Sequence, residues 1–458
     1  MLSEQLKSLA FETSIGDIVK TIERFRILVV GRSGVGKSSL INYVFGIKDA
    51  SVAHYKPGES NIRQEFVSPE NQYFVLHDSK GFEPGDLSNF ETVRTFIEQG
   101  SQQHLPLKDR VHGLWLCVET PTAGGRVFER GEEYLLKFAH DIQIPVVLVF
   151  TQYDRLVRSK KAELQEEDET LDEVSLRNQS EKNATIAFNK CLQSLQHSLS
   201  RLNIPMPHCA RVSVRKGYQE SVSTLVESTR DVVRDRLGGD AWIMWSIAQR
   251  ASPSVKMEAC VTKGMSSYNH FLSGCMPGSE RLLLRDCLEK VHRDIVTCWN
   301  FKGEVLDSKE FAYLMLRLSQ DDQTESGASH SNIDLISRFI ALVTSASPPT
   351  QPLESILGFA PNFVQSFSTA VLENTSWLQR FLMTYTVDLV SVLRKLFDTT
   401  LTATWDGVQE AYGAYEKSGS RQNLHDRILS NIPQGGHNLK GGEVNGIFRV
   451  LFANVMPV

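Results

Sequence analysis

The 458-residue chain has no Cys-x-x-Cys pair, and its seven cysteines (Cys117, Cys191, Cys209, Cys260, Cys275, Cys287 and Cys298) are odd in number and irregular in spacing. A zinc ribbon or a disulfide frame would need paired cysteines, so these read as reduced thiols of an intracellular, cytoplasmic protein. Strong charge of one sign is also missing. A formal net charge of −5 gives no strong nucleic-acid signal, because a phosphate backbone selects a cationic face. The opening segment, residues 1–24, carries Glu4, Lys7, Glu12, Asp17 and Lys20 and lacks the apolar run of a signal peptide. Its apolar residues, Leu6, Leu9, Ile15, Ile18, Val19 and Ile22, suit a short amphipathic helix. Long hydrophobic runs are absent too. The longest uncharged apolar stretch, Ser355 to Leu372, contains Pro361, Asn362 and Gln365, which makes a core helix a better reading than membrane contact. No internal repeat of fixed period occurs.

What is present is an ordinary globular composition, 41 % hydrophobic and 22 % charged, which excludes disorder over the whole length. The length predicts roughly two or three domains. Residues 25–237 alternate strand-like and helix-like patterns, as an α/β domain with a mostly parallel sheet requires. Strands are predicted at Phe25–Val30, Ile62–Val67, Tyr73–His77, Gly113–Val118, Pro145–Phe150 and Cys209–Val214. Helices are predicted at Ser38–Phe45, Val127–His140 and Gln219–Leu237, with Gly238 and Gly239 as a stop. A charged insertion at about 158–184 reads as a solvated helix or a flexible segment. Residues 240–458 change character. Leu284, Leu288, Val291, Ile295 and Cys298 recur at helical spacing, and so do Leu382, Thr386, Leu389, Val392 and Leu396. This half reads as a mainly α-helical domain, interrupted by an exposed loop at about 319–331. Its Trp242, Met244, Trp245, Trp299 and Trp377 read as core residues.

The segment Gly31-Arg-Ser-Gly-Val-Gly-Lys37-Ser38 matches G-x-x-x-x-G-K-[ST], directly after a buried strand and directly before a helix. Gly31, Gly34 and Gly36 let the loop wrap tightly, so that main-chain N–H groups of Ser33, Val35 and their neighbours through Ser39 converge on phosphate oxygens. The following helix adds the positive end of its dipole. Lys37 supplies a cation for the β- and γ-phosphates, and the Ser38 hydroxyl is a ligand for Mg²⁺.

Three further segments follow in order. His77-Asp78-Ser-Lys-Gly81 ends a strand, Thr151-Gln152-Tyr153-Asp154 ends another, and Val212-Ser213-Val214 ends the last. Over about Phe25 to Leu237 the chain resembles the G domains of translation-factor-related GTPases, the Era-like and septin-like types in particular. The resemblance implies a three-layer P-loop fold that binds GTP or GDP with Mg²⁺. It implies that Asp78 holds the metal, that the Gly81 amide senses the γ-phosphate, and that Asp154 reads the guanine N–H edge. It implies that the Ser213-Val214 loop meets the base oxygen. Two departures stand out: Thr151 and Gln152 occupy the places of the family's Asn and Lys.

The loop between Gly46 and Ile62 lacks the family's switch threonine, and Ser60 is the candidate hydroxyl for the metal. Phe82 stands where Ras-like members carry a water-orienting glutamine, and Gly34 where some Era-like members carry a K⁺-recruiting asparagine. Lys37, Ser38 and Gly81 are then the catalytic candidates of a GTPase with a low intrinsic rate. Arg32, Arg63 and Arg126 are candidate charge donors. An effector protein, or a second copy through the G domain, would complete the site. Asp294 to Phe301 and Leu382 to Leu389 look like stretches of uncharacterised fungal G-domain-containing proteins, which implies a partner-binding role for the helical half. Three readings result: a GTP-binding switch, a nucleotide-binding scaffold on a degraded G domain, and, behind these two, a membrane-remodelling GTPase of dynamin-like behaviour.

Overall fold

The computed structural model describes residues 14–48, 62–78, 87–102, 104–122, 128, 130–168, 170–273, 280–319 and 375–431. The chain divides into two compact units, one of residues 18–255 and one of residues 1–17 with 256–458.

In the first unit the elements run α1 (Ile15–Ile22, shared with the preceding segment), β1 (Phe25–Gly31), α2 (Lys37–Phe45), β2 (Phe66–Ser68), β3 (Asn71–Asp78), α3 (Leu87–Gly100), β4 (Gly113–Glu119), α4 (Arg130–Asp141), β5 (Val146–Thr151), α5 (Tyr153–Glu167), α6 (Glu173–Arg201), β6 (His208–Arg211), α7 (Gln219–Leu237) and α8 (Gly239–Ala248). The six strands form one sheet in the order β2-β3-β1-β4-β5-β6. β2 runs antiparallel to β3, and the remaining neighbours are parallel, with Val29 beside Asp78, Gly31 beside Cys117, Glu119 beside Thr151 and Phe150 beside Arg211. These registers bring the ends of β1, β3, β4, β5 and β6 to one edge. In parallel sheets that carboxyl edge is where ligands bind.

The central strands are nearly continuous apolar runs because helices cover both faces. Leu28, Val30, Leu114, Leu116 and Phe150 point to a core with Val93, Ile97, Leu135, Phe188 and Leu199. On the other face Phe45 stacks on Phe74 with ring centroids 4.0 Å apart, and Trp245 meets Phe25 at 5.0 Å and Trp115 at 5.9 Å. Both indoles find acceptors, Trp115 on Thr229 Oγ1 at 3.1 Å and Trp245 on the Val226 carbonyl at 2.9 Å. Trp245 belongs to α8. This unit therefore reaches past Leu237 to Val255, beyond the limit drawn from the glycine pair. Asn71 Nδ2 ties it further, donating to the carbonyls of Phe45 and Ala248 at 2.9 and 2.8 Å.

Several predicted bounds shift. The strand expected from Ile62 is confined to Phe66–Ser68. Ile62 instead lies in a turn, where its carbonyl accepts from His77 Nδ1 at 3.1 Å. The helix expected at Val127 is described from Arg130. The last strand stops at Arg211, because the Val212 carbonyl turns to accept from Tyr153 N at 3.1 Å. The charged stretch after Arg158 forms the end of α5 and the start of α6, whose first turn is capped by Asp172 through Val174 N and Ser175 N, both at 3.0 Å.

The second unit is helical in its described residues: α9 (Pro253–Ser273), α10 (Glu280–Trp299), α11 (Lys309–Leu318), α12 (Thr375–Thr399), α13 (Trp405–Glu416) and α14 (Gly419–Asn431). The helical spacings foreseen around Leu288 and Leu389 fall in α10 and α12. Trp242, Met244, Trp245 and Trp299 are buried, as expected of core residues. Ser319, at the edge of the expected exposed loop, is buried, and its hydroxyl donates to Asp388 Oδ2 at 3.0 Å. The rest of that loop and Ser355 to Leu372 lie outside the described residues. Among the described residues no helix is long and apolar enough to cross a membrane. Cys117, Cys191, Cys209, Cys260 and Cys298 are free thiols.

Candidate functional site

The loop from Gly31 to Ser38 leaves the end of β1 and enters α2. Its backbone needs glycine at both turns: Gly34 has φ +77° and Gly36 φ +98°, in the left-handed region. Gly36 is the residue before α2, so the helix opens directly from the loop, where the leading N–H groups of any helix have no carbonyl of a preceding turn to bond. Lys37 is 8 % exposed and folds back over the loop. Its Nζ donates to the Gly31 carbonyl at 2.8 Å and to the Arg32 carbonyl at 2.9 Å. Ser33 and Ser39 are exposed, Val35 is buried, and Ser38 is half-buried at the start of α2. Arg32 lies 3.5 Å from the buried carboxylate of Glu132.

Gln152 joins this loop to the loop after β5. Its Nε2 donates to the Gly34 carbonyl at 3.0 Å, and its Oε1 accepts from Arg155 at 3.0 Å. Arg155 also pairs with Glu119 at the end of β4. Gln152 takes φ +57°, which turns the chain sharply from β5 into α5 and presents Asp154 in the first helical turn.

Asp154 is 6 % exposed. Its Oδ1 accepts from Ser213 Oγ at 2.8 Å, and its Oδ2 from Arg158 Nη2 and Arg215 Nε, both at 2.9 Å. Ser213 thus reaches the site through its hydroxyl. Its amide is taken by Ser221 Oγ at 3.2 Å. Val214, beside it in the loop, is half-buried. Thr151 is turned inward, its hydroxyl donating to the Val118 carbonyl at 3.0 Å, so this residue braces β4 against β5.

Asp78 ends β3 next to Val29 of β1, two residues before the phosphate loop begins. Gly81, Ser60, Phe82 and Arg126 lie outside the described residues. His77, just before Asp78, is held below the usual histidine range, first by burial. Its ring acts as a neutral donor to Ile62.

Sequence reasoning missed Arg158, Arg215 and Ser221. Arg158 lies four residues after Asp154, a spacing that pairs side chains on one helical face. Arg215 directly follows the Ser213-Val214 segment, and that adjacency was the available signal. It also missed the anchor behind the loop. Arg211 lies 4.7 Å over the Tyr153 ring and 5.6 Å over the Phe188 ring, and it donates to Tyr153 Oη at 3.2 Å and Thr185 Oγ1 at 3.1 Å. The long helix α6 is thereby tied to the start of α5.

Two family models match the chain. One, described as a 50S ribosome-binding GTPase, matches residues 26–152, and one, a domain of unknown function (DUF8505), matches residues 305–439. A probable GTP-binding protein EngB of Porphyromonas gingivalis is 27 % identical over 161 residues, covering 35 % of this chain and 76 % of that protein. A probable GTP-binding protein EngB of Aquifex aeolicus is 28 % identical over 136 residues, covering 30 % of this chain and 70 % of that protein. A crystal structure of a probable GTP-binding protein engB is 17 % identical with a TM-score of 0.26, over 46 % of this chain and 99 % of that one. The first unit has the G-domain fold, carries its P-loop and the loop after β5 on one sheet edge, and is similar in sequence to EngB proteins over about a third of the chain.

Proposed function

We propose that the chain is a GTP-binding switch protein whose hydrolysis of GTP is slow or assisted by a partner. The observation that carries this reading is the hydrogen bond from Gln152 to the Gly34 carbonyl. It ties the loop that leads to Asp154 to the glycine-rich loop after β1. The ammonium of Lys37, the amides of the loop and the N-terminus of α2 supply positive potential for a polyphosphate. Lys37 exchanges its two loop carbonyls for phosphate oxygens. Asp154, with Ser213 behind it, offers carboxylate oxygens to the donor edge of guanine, an edge adenine lacks.

The donor set also suits Mg²⁺. Ser38 offers a hydroxyl and Asp78 a carboxyl group, both oxygens of the kind a hard cation selects; Asp78 ends the strand next to Val29 of β1, and Ser38 opens the helix that follows the β1 loop. Bound there, the ion would neutralise charge on the β- and γ-phosphates. Ser60 and the Gly81 amide complete this reading as metal ligand and γ-phosphate sensor.

Thr151 favours the scaffold alternative. Its hydroxyl is committed to the Val118 carbonyl and leaves the base one fewer polar partner.

Titration with fluorescent GTP, GDP and ATP analogues, with and without Mg²⁺, tests the reading, together with phosphate release over many turnovers. Guanine preference with slow release is expected. Equal affinity for both purines would dispose of the base assignment. Binding without any turnover, with or without cell extract, would leave the scaffold.

A further inference from the structure

Asp154 already holds three donors. An ionised carboxylate has two oxygens and about four acceptor positions in all. Oδ1 takes Ser213 and keeps one position open. Oδ2 takes both Arg158 and Arg215 at 2.9 Å and is full. A guanine edge brings two parallel N–H donors, one for each oxygen. The base cannot be read by both oxygens until one guanidinium leaves.

The two arginines are held differently. Arg158 sits four residues along α5, and its Nε also points at the Asp154 carbonyl, 3.4 Å away, so the helix keeps it beside the carboxylate. Arg215 comes from the loop after β6. Its side chain is 67 % exposed, and its main chain is pinned separately, through its amide to Ser213 Oγ at 3.2 Å. Its guanidinium can swing into water while the loop stays in place.

Resting on the guanine reading of Asp154, we propose that Arg215 is a displaceable internal competitor of the base, which occupies the reading carboxylate when no nucleotide is present and lowers the affinity for guanine. The guanidinium returns as the base departs, so the carboxylate does not face the emptied cleft with its charge uncompensated. Release is eased at the base end, independently of the phosphates. The size of the effect is that of an exposed ion pair, about two- to fivefold in affinity. Salt screens such a pair, and at about 1 M, where the screening length is about 3 Å, most of the competition is gone.

The test is calorimetric binding of GDP, ADP and guanosine to the full chain, as wild type, Arg215→Gln and Arg158→Gln, at low and high salt. Guanosine isolates the base from the phosphates. Arg215→Gln is expected to bind GDP and guanosine about two- to fivefold more tightly. ADP binding should not change, and the gain should vanish at high salt. Arg158→Gln also vacates a place on Oδ2 and is expected to show a gain no larger than that of Arg215→Gln. If wild type prefers GDP to ADP but Arg215→Gln binds GDP equally or more weakly, the competitor role is wrong while the guanine reading stands. A gain in Arg158→Gln alone would overturn the assignment to Arg215. Equal wild-type affinity for GDP and ADP would remove the guanine reading and the competitor together.

Discussion

Asp154 in the first unit and Asp388 in the second are both buried carboxylates with three side-chain donors. Asp388 is 0 % exposed. It accepts from Ser319 Oγ at 3.0 Å, Tyr415 Oη at 2.9 Å and His425 Nε2 at 2.7 Å, and those three partners are themselves buried. The arginines on Asp154 are more than half exposed. The difference lies in where the partners can go. Donors that can return to water leave a carboxylate available for a ligand. Donors sealed inside cannot leave without a desolvation cost, and they fix how α12, α13 and α14 pack. The same chemical group is thus a reading head in one unit and a rivet in the other.

Asp388→Ala should be the most damaging change. Stripping a buried carboxylate from buried partners costs about 3–5 kcal/mol. Urea unfolding would register it, and hydrogen exchange should show protection lost in α12–α14. Asp154→Ala should cost less, about 1–2 kcal/mol of stability, because both arginines can return to water and only the buried Ser213 hydroxyl loses its acceptor, while abolishing purine selectivity. Similar stability losses for both would break the contrast.

A pH scan sharpens the contrast through His112 of the first unit. Its Nδ1 accepts from Arg26 N at 2.8 Å, and its Nε2 donates to the Leu107 carbonyl at 2.7 Å, so only the neutral ring satisfies both bonds. Burial lowers its pKa to about 4. Unfolded, the ring titrates near 6.5 and binds a proton that the folded form refuses. The resulting stability is complete above about pH 6.5 and is lost as pH falls towards 4, amounting to about 3 kcal/mol. Stability measured from pH 7 to 4 should fall accordingly, and His112→Gln should flatten the slope.

Lys37→Ala is expected to weaken GTP binding by about 100-fold, the worth of one or two charge-assisted hydrogen bonds, with the fold kept. Calorimetry and circular dichroism separate the two effects, and undiminished affinity would sink the phosphate assignment. Gln152→Ala is the mildest. Losing its bond to Gly34 should cost about 1 kcal/mol, or roughly fivefold in affinity.

Most strands and the P-loop were legible because each rests on local rules: apolar runs of strand length, and glycines at fixed offsets before a helix. Asp154 was legible through its place after the most apolar strand. Of its arginine partners, Arg158 had only its helical spacing as a signal, and Arg215 acquires a role only when β6 brings its loop beside α5. α8 was assigned to the wrong side of a glycine pair for a similar reason. Trp242 and Trp245 announce burial, but the sequence does not say against which surface. The burial of Ser319, at the start of the polar run after Leu318, was not legible because one buried serine looks like any other until Asp388 arrives from 69 positions away.

Gly31 has a consequence of another kind. A Cβ built there would lie 2.3 Å from the Cys117 carbonyl oxygen on the neighbouring strand. The first glycine of the phosphate motif is therefore demanded by the architecture of the sheet whether or not any nucleotide is ever bound. A descendant of this chain that had abandoned its ligand would still be obliged to keep that residue. Its survival is a fossil of the fold, and loss of activity would leave its mark first at Lys37 and Ser38.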